Sequence, residues 1–297
     1  MKKILICVFI CLPLIAWGQK KTMTQVKDYI KSGKNLDKAE KLMTDLLNDS
    51  SSRGNEKVWL LLFESQRKQY DQGNEKLYLK EKYDTTALFL VGKRMFDTLE
   101  GLDSLDRLPD ARGKVKLKYR DRSAELLNIY RPNLFNGGVF FMKKHDFSRA
   151  YDFFDTYINS AVKPMFARYQ YAERDKRLPE AAYWASYCGY KLEKPQLTLR
   201  HTYQALKDSV HLPYMLQYLA ETYKLEKDTA RYVQTLKDGF SKYPKFPFFF
   251  PRLIDYYSHI GAYDACSFNI RGEGSFRASE GCQPFVGSVG TLHREPE

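Results

Sequence analysis

The stretch Leu216–Pro244, LQYLAETYKLEKDTARYVQTLKDGFSKYP, decides the fold. Leu216, Leu219, Ala220 and Tyr223 recur at i, i+3, i+4 and i+7, which places them on one face of a helix. A polar break follows at Lys227-Asp228. Tyr232, Leu236, Gly239 and Phe240 then make a second helical face, which Pro244 ends. The unit is a helix-turn-helix with a small residue where its two helices touch.

The unit recurs. Thirty-four residues on, Phe250, Leu253, Ile254 and Tyr257 stand where Leu216, Leu219, Ala220 and Tyr223 stood, with Gly261 and Tyr263 in the turn and Cys266 opposite Tyr232. The same step back from Ala220 reaches Ser186, with Ala182 and Ala185 before it and Ala205 in the second helix. Further upstream, in Leu134–Ile158, Leu134, Gly137, Gly138 and Phe141 mark a first helix, and Ala150, Phe154 and Tyr157 a second. Two adjacent glycines inside a helix cost about 1 kcal/mol each against alanine. The return they offer is close approach, because crossing helices come to roughly 8–10 Å. The competing reading is a loop at Asn136-Gly137. Gly138 and Ser186 are 48 residues apart, 14 beyond the step, and the surplus is assigned to longer helices around Pro164–Glu180, bounded by Pro164 and Pro179.

These units resemble tetratricopeptide repeats: a leucine or aromatic, a leucine, a small residue and an aromatic on the first helix, then alanine, a large apolar residue and a second small residue, often closed by proline. HDFSRAYDFFDTYI and KYP carry the likeness, which covers about 132–266. It implies an all-α fold, an α-solenoid of antiparallel helix hairpins in a right-handed superhelix, irregular at both ends. Residues 19–131 read as a helical N-terminal region of degenerate repeats. Ala39, Met43 and Leu47 mark one helix, Trp59, Leu62, Phe63 and Tyr70 another, and two long helices join near Pro109-Asp110. KVKLKY, 114–119, suits helix as well as strand. Arg112–Arg122 carries six basic residues and reads as a solvated helix face, with a patch for an anionic polymer as the rival.

Both ends differ in character from this core. Residues 1–18, with Lys2, Lys3, an apolar run from Ile4 and small residues Ala16 and Gly18, have the layout of a secretory signal peptide. Removing them lowers the net charge from +12 to +10 and leaves Cys188, Cys266 and Cys282, too few for a disulfide framework. Residues 267–297 lose the period: Glu273 stands where a small residue is wanted, between Gly272 and Gly274. The favoured reading is a truncated or frame-altered final repeat; a natural flexible tail is the other.

No catalytic motif stands out. The five histidines lack zinc-site spacing, no Gly-x-Ser-x-Gly or phosphate loop is present, and Cys188 lies on an apolar helix face. The expectation is therefore a non-enzyme without cofactor or metal. The resemblance makes the first helices line a concave groove, where Tyr183, Tyr187, Tyr190, Tyr214, Gln217, Glu221, Lys224 and Asp255 are the candidate binding residues. The alternative is that the tyrosines pack on the inserted segment 163–179. Tetratricopeptide domains that grip chaperone C-termini use lysine and asparagine at positions held here by Phe135, Val139, Tyr183, Tyr187, Gln217 and Glu221, so that clamp is missing. The likeness to exported bacterial proteins of this kind implies a protein- or peptide-binding scaffold in the periplasm or envelope of a Gram-negative bacterium. A glycan- or peptidoglycan-binding module is the alternative. Nucleic acid is not an expected partner, and the chain is not expected to span a membrane once the signal is removed.

Overall fold

The computed structural model describes residues 18–262. The signal segment up to Trp17, and Cys266, Cys282, His293 and the tail 267–297, lie outside the described residues. Every regular element described is helical. In chain order these are α1 (18–32), α2 (Leu36–Asn48), α3 (Ser50–Arg53), α4 (Glu56–Tyr78), α5 (Thr85–Asp106), α6 (Arg120–Lys143), α7 (Phe147–Ser160), a 3-10 turn (Pro164–Tyr169), α8 (Tyr171–Arg174), α9 (Leu178–Lys191), α10 (Pro195–Arg200), α11 (Thr202–Ala205), α12 (Leu212–Leu225), α13 (Thr229–Lys242) and α14 (Phe249–His259). Among the described residues no helix is long and apolar enough to cross a membrane. The chain divides into two compact units, Met1–Thr235 and Leu236–Glu297.

In the first unit, helices pack on their chain neighbours: α2 on α4, α4 on α5, α5 on α6, α6 on α7, α7 on α9, and α9 on α10, α11 and α12. Val26, Ala39, Met43, Val58 and Leu62 close a small core of α1, α2 and α4. A larger one runs from Phe63 to Leu219 and includes Phe96, Leu127, Phe141, Phe154, Phe166 and Met215. Acidic and amide side chains start the helices: Asn55, Asp84, Asp146 and Asp228 accept the backbone N–H of Lys57, Thr86, Arg149 and Arg231.

One turn recurs with the sequence period. His145, Glu193 and Lys227 have positive φ (58°, 53° and 61°) and end the first helix of successive hairpins. The next residue donates its N–H back five positions, Asp146 to Phe141, Lys194 to Gly189 and Asp228 to Tyr223, at 3.0, 3.0 and 2.9 Å. The same geometry closes α14 at Gly261 (φ 69°), where Ala262 donates to Tyr257. Positions 193, 227 and 261 are one 34-residue step apart.

The glycine pair lies in a helix, as its close-approach role requires. A Cβ on Gly137 would stand 2.5 Å from the Phe153 ring, and one on Gly138 2.7 Å from the Phe154 ring. The two rings of α7 occupy the space that two methyl groups would take.

Several expectations are corrected. Residues 112–119 are not helix. Asp110 accepts the N–H groups of Arg112 and Lys114, and Gly113 has φ 75°, so the chain turns before α6 can start at Arg120. Pro132 lies within the 24-residue α6, between buried Arg131 and buried Leu134 and Phe135. The 14 extra residues do not lengthen helices; they fold as the 3-10 turn and α8, because Lys163 is extended before Pro164 and Gln170 turns left-handed (φ 51°). The helix after Glu193 is broken in two at His201, whose ring is held 2.7 Å from Asp155. In the second unit, Phe249 rather than Phe250 is fully buried, and Ile254 is exposed. Phe249 fills the space beside Gly239, where a Cβ would come within 2.3 Å of its ring.

Candidate functional site

The candidate tyrosines belong to α9, an aromatic helix whose Tyr183, Trp184, Tyr187 and Tyr190 follow helical spacing. Its partner is α12, and the joint between them is a stack of rings. Tyr183 lies flat on His211, with centroids 4.3 Å apart and planes at 11°. Tyr190 stacks on Tyr218 at 4.7 Å and 21°. The Tyr183 and Tyr218 hydroxyls are 3.3 Å apart, and the Tyr190 hydroxyl donates to Glu221. His211 is fixed in turn by Asp208, whose carboxylate lies 2.7 Å from Nδ1 and accepts the N–H groups of Val210 and His211. Tyr187 meets Phe147 edge to face at 5.8 Å, which ties the same stack to α7.

Burial raises these phenols. Tyr183 is pushed up to about 12, and Tyr190 and Tyr218 go higher, with Glu221 adding to the effect on Tyr190. They therefore stay protonated at neutral pH and act as donors and ring surfaces. Cys188, buried in the same helix, is likewise pushed up to about 12 and is not a thiolate at neutral pH.

The eight candidate residues separate by exposure. Tyr183 is 4% exposed and is part of the joint. Tyr187, Tyr190, Gln217 and Glu221 are half-buried, while Tyr214 and Lys224 are exposed. Tyr214, Gln217, Glu221 and Lys224 fall at i, i+3, i+7 and i+10, so they form one outer stripe along α12. Asp255 is exposed on α14, in the second unit. Sequence reasoning missed Trp184, Asp208, His211 and Tyr218. One signal was at hand: Tyr218 stands one 34-residue step after Trp184, and both rings belong to the joint, Trp184 against His211 and Tyr218 against Tyr190.

The inserted segment has its own anchor. Arg131 is 5% exposed, and its guanidinium lies between the rings of Tyr157 and Tyr171, 3.8 Å from each centroid. It pairs with Asp175 at 2.7 Å, donates to Ser160 at 2.8 Å, and reaches the Tyr157 carbonyl at 3.3 Å. Asp175 also accepts the Tyr157 hydroxyl. All these partners hold the segment onto α6 and α7.

A cleft of about 430 Å³ lies beside α5, lined by Asp97, Glu100, Asp103, Ser104, Arg107, Lys163, Pro164 and Met165. Glu100 pairs with Lys163 through one oxygen while the other is buried without a hydrogen bond. Burial raises its carboxyl, and Lys163 opposes that rise. Asp103 is held by Arg120 at 2.7 Å and Arg107 at 3.5 Å. The lining offers ion pairs and no His, Cys or Tyr. Among the described residues, no cluster of three His, Cys, Asp or Glu is placed to hold a metal ion.

No protein-family model matches the chain. A local likeness is found to GTP cyclohydrolase 1 type 2 homologs of Mycobacterium bovis and Mycobacterium tuberculosis, each 49% identical over 39 residues. That stretch is 13% of this chain, which spans about a tenth of the length of the curated relatives it matches.

Proposed function

We propose that the chain is a non-catalytic scaffold of the tetratricopeptide kind, its hairpins stacked as an α-solenoid, that binds a protein or peptide along the outer stripe of α12. What supports this most is the recurring left-handed turn at Glu193, Lys227 and Gly261, one 34-residue step apart, which makes successive hairpins copies of one unit. Such units form a stiff support, and here the stacked rings of Tyr183, His211, Tyr218 and Tyr190 lock α12 against α9. Tyr214, Gln217 and Lys224 then stand on a preorganised edge, an arrangement that lowers the entropic cost of binding. The working site is the outer edge of the aromatic wall, since Tyr183 is spent on the joint. Action outside the cytoplasm, in a Gram-negative envelope, belongs to the same proposal and rests on the layout of residues 1–18.

The glycan alternative has less support. Sugar rings need free aromatic faces, and those of Tyr183, Tyr190 and Tyr218 are engaged with one another or with His211. Affinity capture from an envelope extract with the full chain tests the proposal. A captured protein should be lost with Tyr214→Ala and Lys224→Glu, each of which should leave thermal unfolding within a degree or two of the parent. Retention of the same partner by both variants refutes binding at this stripe, and capture of glycan alone refutes a protein ligand.

A further inference from the structure

The loop 107–119, between α5 and α6, is not used by the peptide-binding reading. Its root is tied down by carboxylates. Tyr119 donates its N–H to Asp106 at 2.7 Å and its hydroxyl to Glu56 at 2.8 Å, and Lys118 reaches Glu56 at 3.3 Å. Arg107 and Arg120 both pair with Asp103. The tip is different. Arg112, Lys114 and Lys116 face one carboxylate, Asp110, which is 4.0 Å from Lys116 and is otherwise occupied with backbone N–H groups. Interleaved with these cations are large aliphatic side chains in solvent: Leu108 is 62% exposed, Val115 47% and Leu117 43%.

The firm root and the tip call for different partners. The root cations are neutralised within the chain, whereas the tip combines surplus positive charge with apolar surface. A layer of negative charge over an apolar interior complements both features. A soluble acidic polymer would satisfy the lysines and leave Leu108, Val115 and Leu117 in water. We propose that this loop docks onto an anionic phospholipid surface. The aliphatic side chains enter the acyl boundary, and Arg112, Lys114 and Lys116 lie among the headgroup phosphates.

Co-sedimentation of the full chain with phosphatidylcholine vesicles, with and without phosphatidylglycerol, measures the docking. The difference between the two vesicle types isolates the anionic contribution from any neutral binding by the apolar run 4–16. Lys114→Glu with Lys116→Glu should cut the anionic increment by twenty-fold or more, since each cation near such a surface contributes about fivefold. Val115→Ser with Leu117→Ser should cut it by about tenfold with the charge unchanged. Leu108→Ser provides an independent second variant at the other edge of the tip and should cut it in the same direction, and high salt should weaken binding by the parent chain. If the parent chain shows no anionic increment, the proposal fails. If the lysine changes abolish it while the three aliphatic positions have no effect, the contact is electrostatic alone and the proposed docking, with Leu108, Val115 and Leu117 in the acyl boundary, is refuted.

Discussion

Two hairpins of the first unit, α6/α7 and α9 with α10–α11, end their first helices with the same left-handed turn and then diverge. In α6/α7 the second helix is a single 14-residue element, and rings of Phe153 and Phe154 enter the spaces left by Gly137 and Gly138. In the other hairpin the second helix is broken into six and four residues, and what enters is backbone: a Cβ on Gly189 would stand 2.4 Å from the Thr198 nitrogen. A ring can tilt to make room, but main chain cannot without losing its helix. The same sequence device therefore creates a forgiving contact in one place and an unforgiving one in the other.

Arg131→Ala is the largest expected perturbation of the α6/α7 side. It leaves the half-buried Asp175 without its cation and releases the inserted segment. A loss of about 3–5 kcal/mol should appear in urea unfolding. A loss under 1 kcal/mol would mean that the segment 163–177 is not anchored there. Gly138→Ala is milder. The added methyl displaces the Phe154 ring, while alanine returns about 1 kcal/mol of helix propensity, so a net loss of about 1 kcal/mol is expected. Smallest, and opposite in sign, are the turns. Glu193→Gly and His145→Gly each relieve a left-handed conformation in a residue with a Cβ and should raise stability by about 0.5–1 kcal/mol. Because both hairpins share the turn, similar gains are expected; a gain at one and a loss at the other would break the equivalence.

Much of this was legible in the sequence. The i, i+3, i+4, i+7 faces gave the helices, and the small residues at 137, 138 and 239 marked real crossings. The step of 34 reappears in the turns themselves. Three things were hidden for physical reasons. Gly189 stands three residues past Ser186, outside the 34-residue register of small residues, and only the Thr198 backbone against it shows the close approach there. A basic run such as Arg112–Arg122 has the composition of a solvated helix, and only the local bonds of Asp110 and the left-handed Gly113 show that it turns. The tyrosine stripe of α9 carries no mark that says whether a face meets ligand or protein; the ring geometry supplies it by placing Tyr183 on His211. Of the residues expected in a groove, Tyr214 and Lys224 on α12 are exposed, as is Asp255 in the second unit.

The central claim is that small residues on the first helix of each hairpin are spaces shaped for the returning chain, with backbone itself filling the one at Gly189. Urea unfolding of Gly189→Ala beside Gly138→Ala tests it most directly. The account expects the Gly189 change to cost about 3 kcal/mol, clearly more than its counterpart. Equal costs, or a Gly189→Ala protein as stable as the parent, would contradict it.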